Sequence, residues 1–355
     1  WFTGLKINVS ELLVHLSILL FMGMVLYGKA GARVAYPALF DGLRLGIMVA
    51  IGLGFFGIAS IFIKGFSHGT DTALGFAYFD RLKSTFNSPD AAGLFYAASI
   101  PILAWVAADA PAGSWRRRIA LVGLASLSVL IVATGSRTAR LASLVPLAAC
   151  FAHRPLRGVL YRVLPVFLLV FYFGFFHRSL PAVLAAHGFT GPMEEAGFVS
   201  SFVYPNSSDS VAQSFLRDDG RAKLMRETLD AWPTDALTFL AGIGPGLSGL
   251  NTLGFPSPHN LIEIAIEQGI IGFSLFVAAF LLLMWRLMRL FLSADVGIKT
   301  AAICLLSGLA VIAIGSLTWK NQNWFFCWLI FVTALAVARE GEKRIALPER
   351  LALKE

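Results

Sequence analysis

PSPHNLIEIAIEQGIIG, residues 256–272, opens with a histidine and two glutamates and then turns apolar. Pro256 and Pro258 hold the incoming chain extended. A helix is therefore expected to start near His259 or Asn260 and to run to about Phe291. At about 1.5 Å per residue it would be roughly 48 Å long, whereas the hydrocarbon core of a bilayer is about 30 Å thick. One end must then project. The strongly apolar part begins near Gly269, which puts His259 roughly 15 Å beyond the apolar slab. Glu263 and Glu267 follow His259 at i+4 and i+8, on one face. Glu263 is placed to orient the imidazole and to favour its protonated form. A helix start also offers free N–H groups that suit phosphate. The same residues would equally form a plain helix cap with a surface histidine, and spacing alone leaves both readings open.

The whole composition agrees with a membrane reading. The chain of 355 residues is 57% hydrophobic and 14% charged, with a mean hydropathy of +0.73; soluble domains carry roughly 25% charge. The net charge of +8 sits largely in short loops, which points to membrane topology rather than to nucleic acid. Cys150, Cys304 and Cys327 lie in apolar stretches at no metal-ligand spacing and read as small hydrophobes. The sequence opens at Trp1 and is hydrophobic by Val9, so further helices are expected ahead of it.

Nine stretches are apolar enough for spans: 9–27, 43–63, 91–108, 118–134, 138–152, 158–176, 264–285, 300–318 and 322–338. The expected fold is an all-α integral membrane protein, a multi-span helical bundle. Its parts are N-terminal helices over 1–176, an outer loop domain over 177–258, and C-terminal helices with a cytoplasmic tail over 259–355. A single alternation puts Lys29, Arg33, Arg116, Arg117, Arg118, Arg154, Arg157, Arg286, Arg289, Lys299, Arg339, Lys343 and Arg344 on the cytoplasmic side, as the positive-inside rule requires. Outside are 64–90, the Gly135–Arg137 turn and the long segment 177–258. That segment is too long for a plain connection, and ordered loops over a membrane mouth commonly shape sites.

Three further stretches carry chemistry. TGSRTAR, residues 134–140, puts Arg137 and Arg140 in a tight turn between apolar spans. Charge there is expensive and often functional, and arginine grips phosphate bidentately. Snorkelling to the interface is the alternative, and it suits Arg140 better. FLRDDGRAKLMRE, residues 215–227, puts Arg221, Lys223 and Arg226 within two helical turns. Asp218 and Asp219 form no D-x-D motif, so an arginine-lined anion site is favoured over a metal site, beside an ordinary surface helix. AGIGPGLSG, residues 241–249, contains Gly244 and Gly246 and allows close backbone approach. It is neither a Walker loop nor a dinucleotide fingerprint.

Taken in order, R-x-x-x-x-R-E-T-L from Arg221, G-I-G-P-G from Gly242 and P-H-N-L-I-E-I-A-I-E-Q-G-I-I-G from Pro258 resemble the O-antigen ligase and O-antigen polymerase family. TGSRTA is similar to its Ser-Arg turn. FNSPDAAG, residues 86–93, is similar to its Pro-Asn stretch, with Asp90 where asparagine is commoner. The resemblance covers about 80–340. It implies a GT-C-like glycosyltransferase in the bacterial inner membrane with a periplasmic active site. The implied donor is an undecaprenyl-pyrophosphate-linked glycan and the implied acceptor, in the ligases, is lipid A–core. The implied reaction inverts the anomeric centre and needs neither metal nor cofactor. His259 matches the family's proposed general base, and Arg137 and Arg221 its pyrophosphate-binding arginines. Arg226 and Arg140 are further candidates for that anion. Glu263, Asn260, Gly244 and Gly246 are assigned supporting places.

Ligase is preferred over polymerase for the compact length and the single large outer loop; a protein O-glycosyltransferase is a third relative with the same donor. A flippase or transporter of the lipid-linked glycan belongs to another class. It would need the arginines but no base above the membrane, and it should line mid-membrane segments with polar groups. The third to seventh spans are nearly free of charge at mid-depth. His15 reads as core, while His177 and His187 fall in no motif. Trp319, Trp324, Phe325 and Trp328 read as an interfacial belt, beside the polar turn Lys320–Gln322.

Overall fold

A backbone inside a bilayer has no water to bond to, which leaves helices or a closed barrel. The structure, a computed structural model, takes the helical solution. It describes residues 31–64, 77–78, 81–82, 84, 86, 88–176, 236–244, 261–293, 295–317 and 325–352. The helices are α1 (Gly31–Lys64), α2 (Pro89–Asp109), α3 (Trp115–Ala133), α4 (Arg137–Ala152), α5 (Arg154–Phe176), α6 (Ala236–Ala241), α7 (Leu261–Arg289), α8 (Val296–Ser316) and α9 (Phe325–Ala352). The sole sheet among the described residues is a two-stranded antiparallel ladder, β1 (Ala77–Tyr78) with β2 (Arg81–Leu82).

Five of these helices are long and apolar enough to cross a membrane: α2, α7 and α8 whole, Phe40–Ala59 of α1 and Arg154–Tyr172 of α5. The protein is therefore a helical membrane protein. The expected spans 118–134, 138–152 and 322–338 fall on α3, α4 and α9; Thr138–Ala152 of α4 is apolar but shorter. The first expected span, 9–27, lies outside the described residues, as does most of 177–258.

The chain divides into two units, Arg44–Asp219 and Trp1–Leu43 with Gly220–Glu355. In the first, α2 is the central helix, and α3, α4 and α5 pack against it. Its apolar window is 83% buried, so it is shielded from lipid by its neighbours. Small residues set the spacing. A side chain at Gly54 of α1 would meet the Tyr96 hydroxyl at 2.7 Å, and one at Gly123 of α3 would meet Leu103 at 3.1 Å. Tyr96 donates to the Ala50 carbonyl at 3.3 Å. Short turns reverse the chain after α2, α3 and α4. Arg157 closes the last of these by donating from Nε to the Phe151 carbonyl at 2.7 Å.

In the second unit α7, α8 and α9 pack together, and the short α6 lies against α7. Gly341 of α9 sits where a side chain would strike Leu290 at 2.6 Å. Beside it Arg286 of α7 pairs bidentately with Glu342 of α9, with Nε to Oε1 at 2.8 Å. Arg289 stacks over the Trp285 ring at 5.1 Å. The Arg286 hydrogen bonds hold the Glu342 carboxyl below the usual carboxylate range, against a smaller opposing effect of burial. A depressed carboxylate stabilises the fold above its unfolded pKa, about 4.3, and loses that contribution as pH falls through the folded value. Glu342→Gln is expected to cost about 1 kcal/mol at neutral pH, as a half-exposed pair does. It should also flatten the loss of thermal stability below about pH 4; pH-resolved melting in detergent checks both.

Candidate functional site

The quoted stretch departs from the expected single helix. Gly269, inside α7, has φ 65° and ψ 175°, so two helices meet there at a break. The part after the break, Ile270–Arg289, rises about 30 Å, close to the thickness of the hydrocarbon core. The part before it, from Leu261, is a separate two-turn helix. A straight 48 Å rod is thus overturned, and with it the placement of His259 by extrapolation along one axis. His259 and Asn260 lie outside the described residues.

The break has a partner. Gly242, just past the end of α6, also has a positive φ of 80°, and its N–H donates to the Thr238 carbonyl at 2.9 Å, capping that helix. The next two N–H groups turn to α7. Ile243 donates to the Ile266 carbonyl and Gly244 to the Glu267 carbonyl, each at 3.0 Å. A Cβ on Gly242 would run into the Glu267 carbonyl, and one on Gly269 into the Leu240 carbonyl. The two glycines therefore lie back to back. Gly-Ile-Gly and Glu-Gln-Gly, far apart in sequence, form one backbone clasp. Gly244 takes part in the clasp through its N–H; Gly246 lies outside the described residues.

Directly ahead of the clasp, Glu263 and Glu267 are 3% and 1% exposed. Two buried carboxylates one turn apart are costly unless they are used or neutralised. Glu263 was singled out from the sequence. Glu267 was noted only as sharing its face, although its backbone anchors the clasp and its side chain is the more buried.

In the first unit a second meeting of motifs occurs. Ser136 caps α4, its Oγ accepting from Ala139 N at 3.2 Å. Gly135 takes φ 63° to make the turn. Thr134 Oγ1 donates to the Ile131 carbonyl at 2.7 Å and accepts from Ser136 N at 3.3 Å. Thr134 and Ser136 are both fully buried. What buries them is the start of α2, where a Cβ on Gly93 would meet Ala139 Cβ at 2.6 Å and Thr134 Oγ1 at 2.9 Å. Ser88 caps α2, accepting from Ala91 N at 3.1 Å, with Pro89 at the first helical position. FNSPDAAG and TGSRTA thus bring two helix N-termini to one place, where the dipole ends favour negative charge, one of which Asp90 already supplies in the first turn of α2. Arg137 is the first residue of α4. Arg140 is half-buried, and its Nη2 reaches back toward the Val132 carbonyl at 3.5 Å, as a side chain serving its own turn would.

Arg221 and Arg226 lie outside the described residues. Among the described residues no three His, Cys, Asp or Glu side chains gather as a metal site would need. No protein-family model matches the chain. No curated protein matches it either. Functional assignment therefore rests on these residues and their chemistry.

Proposed function

We propose that the chain is a membrane glycosyltransferase of the O-antigen ligase type. It moves a glycan from undecaprenyl pyrophosphate to a sugar hydroxyl of lipid A–core at the periplasmic face of the bacterial inner membrane. The fuller architecture proposed with it is nine spans in a GT-C-like arrangement, with a periplasmic loop domain over 177–258. The observation that carries the reading is the meeting of the α2 and α4 N-termini at one end of a membrane bundle, with Arg137 the first residue of α4. A pyrophosphate leaving group needs such stabilisation as its bond to C1 breaks. The opposite ends of α3 and α5 carry Arg116, Arg117, Arg118, Arg154 and Arg157, which favours a periplasmic Arg137 under the positive-inside rule.

In the proposed reaction the acceptor hydroxyl attacks C1 from the face opposite the leaving oxygen. His259 takes its proton, the C1–O bond breaks, and undecaprenyl pyrophosphate departs with the electron pair. Arg137 and Arg221, with Arg226 and Arg140 as further candidates, hold the growing negative charge. Glu263 supports the imidazolium. A positioned base contributes about 10²–10⁴-fold.

Purified protein is given undecaprenyl-pyrophosphate glycan and lipid A–core in detergent, with and without EDTA. Wild type is expected to transfer in both cases, and folded His259→Ala to lose about 10²–10⁴-fold. Full activity in that variant refutes the mechanism, and loss of wild-type transfer in EDTA refutes its metal independence. Longer glycans left on the undecaprenyl carrier would make the enzyme a polymerase instead.

A further inference from the structure

The other end of the α2–α5 bundle carries chemistry that glycan transfer does not use. Successive short turns put the starts of α3 and α5 at the same end, away from Thr134–Ser136. Five arginines stand there: Arg116, Arg117 and Arg118 on α3, Arg154 and Arg157 on α5. Neither helix has an acidic residue in its first turn; Asp109, exposed at the end of α2, is the nearby acid in sequence. Cations at a helix N-terminus oppose the dipole, so local helix stability does not account for them.

Arg157 is consumed in closing α4. The other four are not. Arg116, Arg118 and Arg154 are exposed. The Nε of Arg117 is buried and makes no hydrogen bond. Trp115, adjoining them, is 75% exposed. An exposed indole beside guanidinium groups, at the rim of membrane helices, has the composition of a headgroup-level surface. Guanidinium is the cation best matched to a phosphate diester.

We propose that this end is a docking surface for anionic phospholipid headgroups of the leaflet it meets, held by Arg116, Arg117, Arg118 and Arg154 with Trp115 at headgroup depth. It is independent of the glycosyltransferase reading. Charge complementarity selects the occupant, since a zwitterionic headgroup returns a positive charge to a surface already crowded with them.

Protein in a neutral detergent is offered equal amounts of phosphatidylglycerol and phosphatidylcholine, and the retained lipid is read by native mass spectrometry. Wild type is expected to prefer phosphatidylglycerol by about fivefold or more. Arg118→Gln removes an exposed charge without touching packing and should lower the preference at least about twofold. R116Q/R118Q should bring it near parity, and R116K/R118K should stay above the glutamine pair. Equal retention of both lipids by wild type, or an undiminished preference in Arg118→Gln, overturns the proposal. So does displacement of the lipid by millimolar inorganic phosphate, which would make this a small-anion site.

Discussion

Gly269→Ala is expected to destabilise the protein by about 3 kcal/mol or more, enough to lower its melting temperature by several degrees or to prevent recovery of folded protein. Three effects add. The backbone at φ 65° and ψ 175° lies in a region that residues with a Cβ essentially do not occupy. The new methyl group would overlap the Leu240 carbonyl, which is backbone and cannot swing aside. Relief of either strain separates α6 from α7 and exposes the Ile266 and Glu267 carbonyls now bonded to Ile243 and Gly244. Each such loss costs about 1 kcal/mol or more where water does not replace the partner. Gly242→Ala should behave alike, because its Cβ meets the Glu267 carbonyl from the other side. Gly46→Ala is the control: its Cβ meets nothing within 4 Å, and alanine in a helix is favoured over glycine by up to about 1 kcal/mol. Thermal unfolding in detergent, read by tryptophan fluorescence, compares the three. A Gly269→Ala protein that melts with wild type would mean that the break is not a strained, fixed feature.

The break also marks where the sequence was legible and where it was not. Long apolar runs announce membrane helices by length alone, and α1, α2, α5, α7 and α8 appear where hydropathy put them. The tight turn expected at Gly135–Arg137 is present between α3 and α4, whereas the caps that Ser136 and Ser88 make were not read from the sequence. Gly269 gives no sign of a break, because a glycine inside a helical pattern is tolerated at a cost of about 1 kcal/mol. Its φ is decided by a loop some 25 residues upstream, which local periodicity does not see. The signal was present as a pair, Gly242 and Gly269, each pointless alone. Glu267 was passed over for the same reason. The four-residue spacing shows that it shares a face with Glu263, but burial depends on what packs against that face. Gly93 is the third case. It closed a familiar motif, and only its approach to Ala139 and Thr134 shows that it lets α2 and α4 meet.

Arg137→Ala is expected to reduce glycan transfer by about 10²–10³-fold, the usual cost of removing one charge-stabilising donor from a site that must hold a developing anion. The residue occupies the first helical position of α4, so its loss leaves the Ser136 cap and the buried Thr134 bonds in place. Folding should therefore be unaffected, and melting within about 0.5 kcal/mol of wild type is the required control. Arg137→Lys separates two sources of the effect. If simple charge suffices, lysine restores most of the rate; if a planar two-pronged grip on the diphosphate is needed, lysine stays near alanine. Arg140 supplies the contrast. Its guanidinium turns back toward Val132, so Arg140→Ala should cost stability at the end of α3 more than it costs rate. Equal loss of activity in both variants would mean that the anion is held by the whole turn. Wild-type activity in Arg137→Ala would remove the pyrophosphate from this end of the bundle altogether.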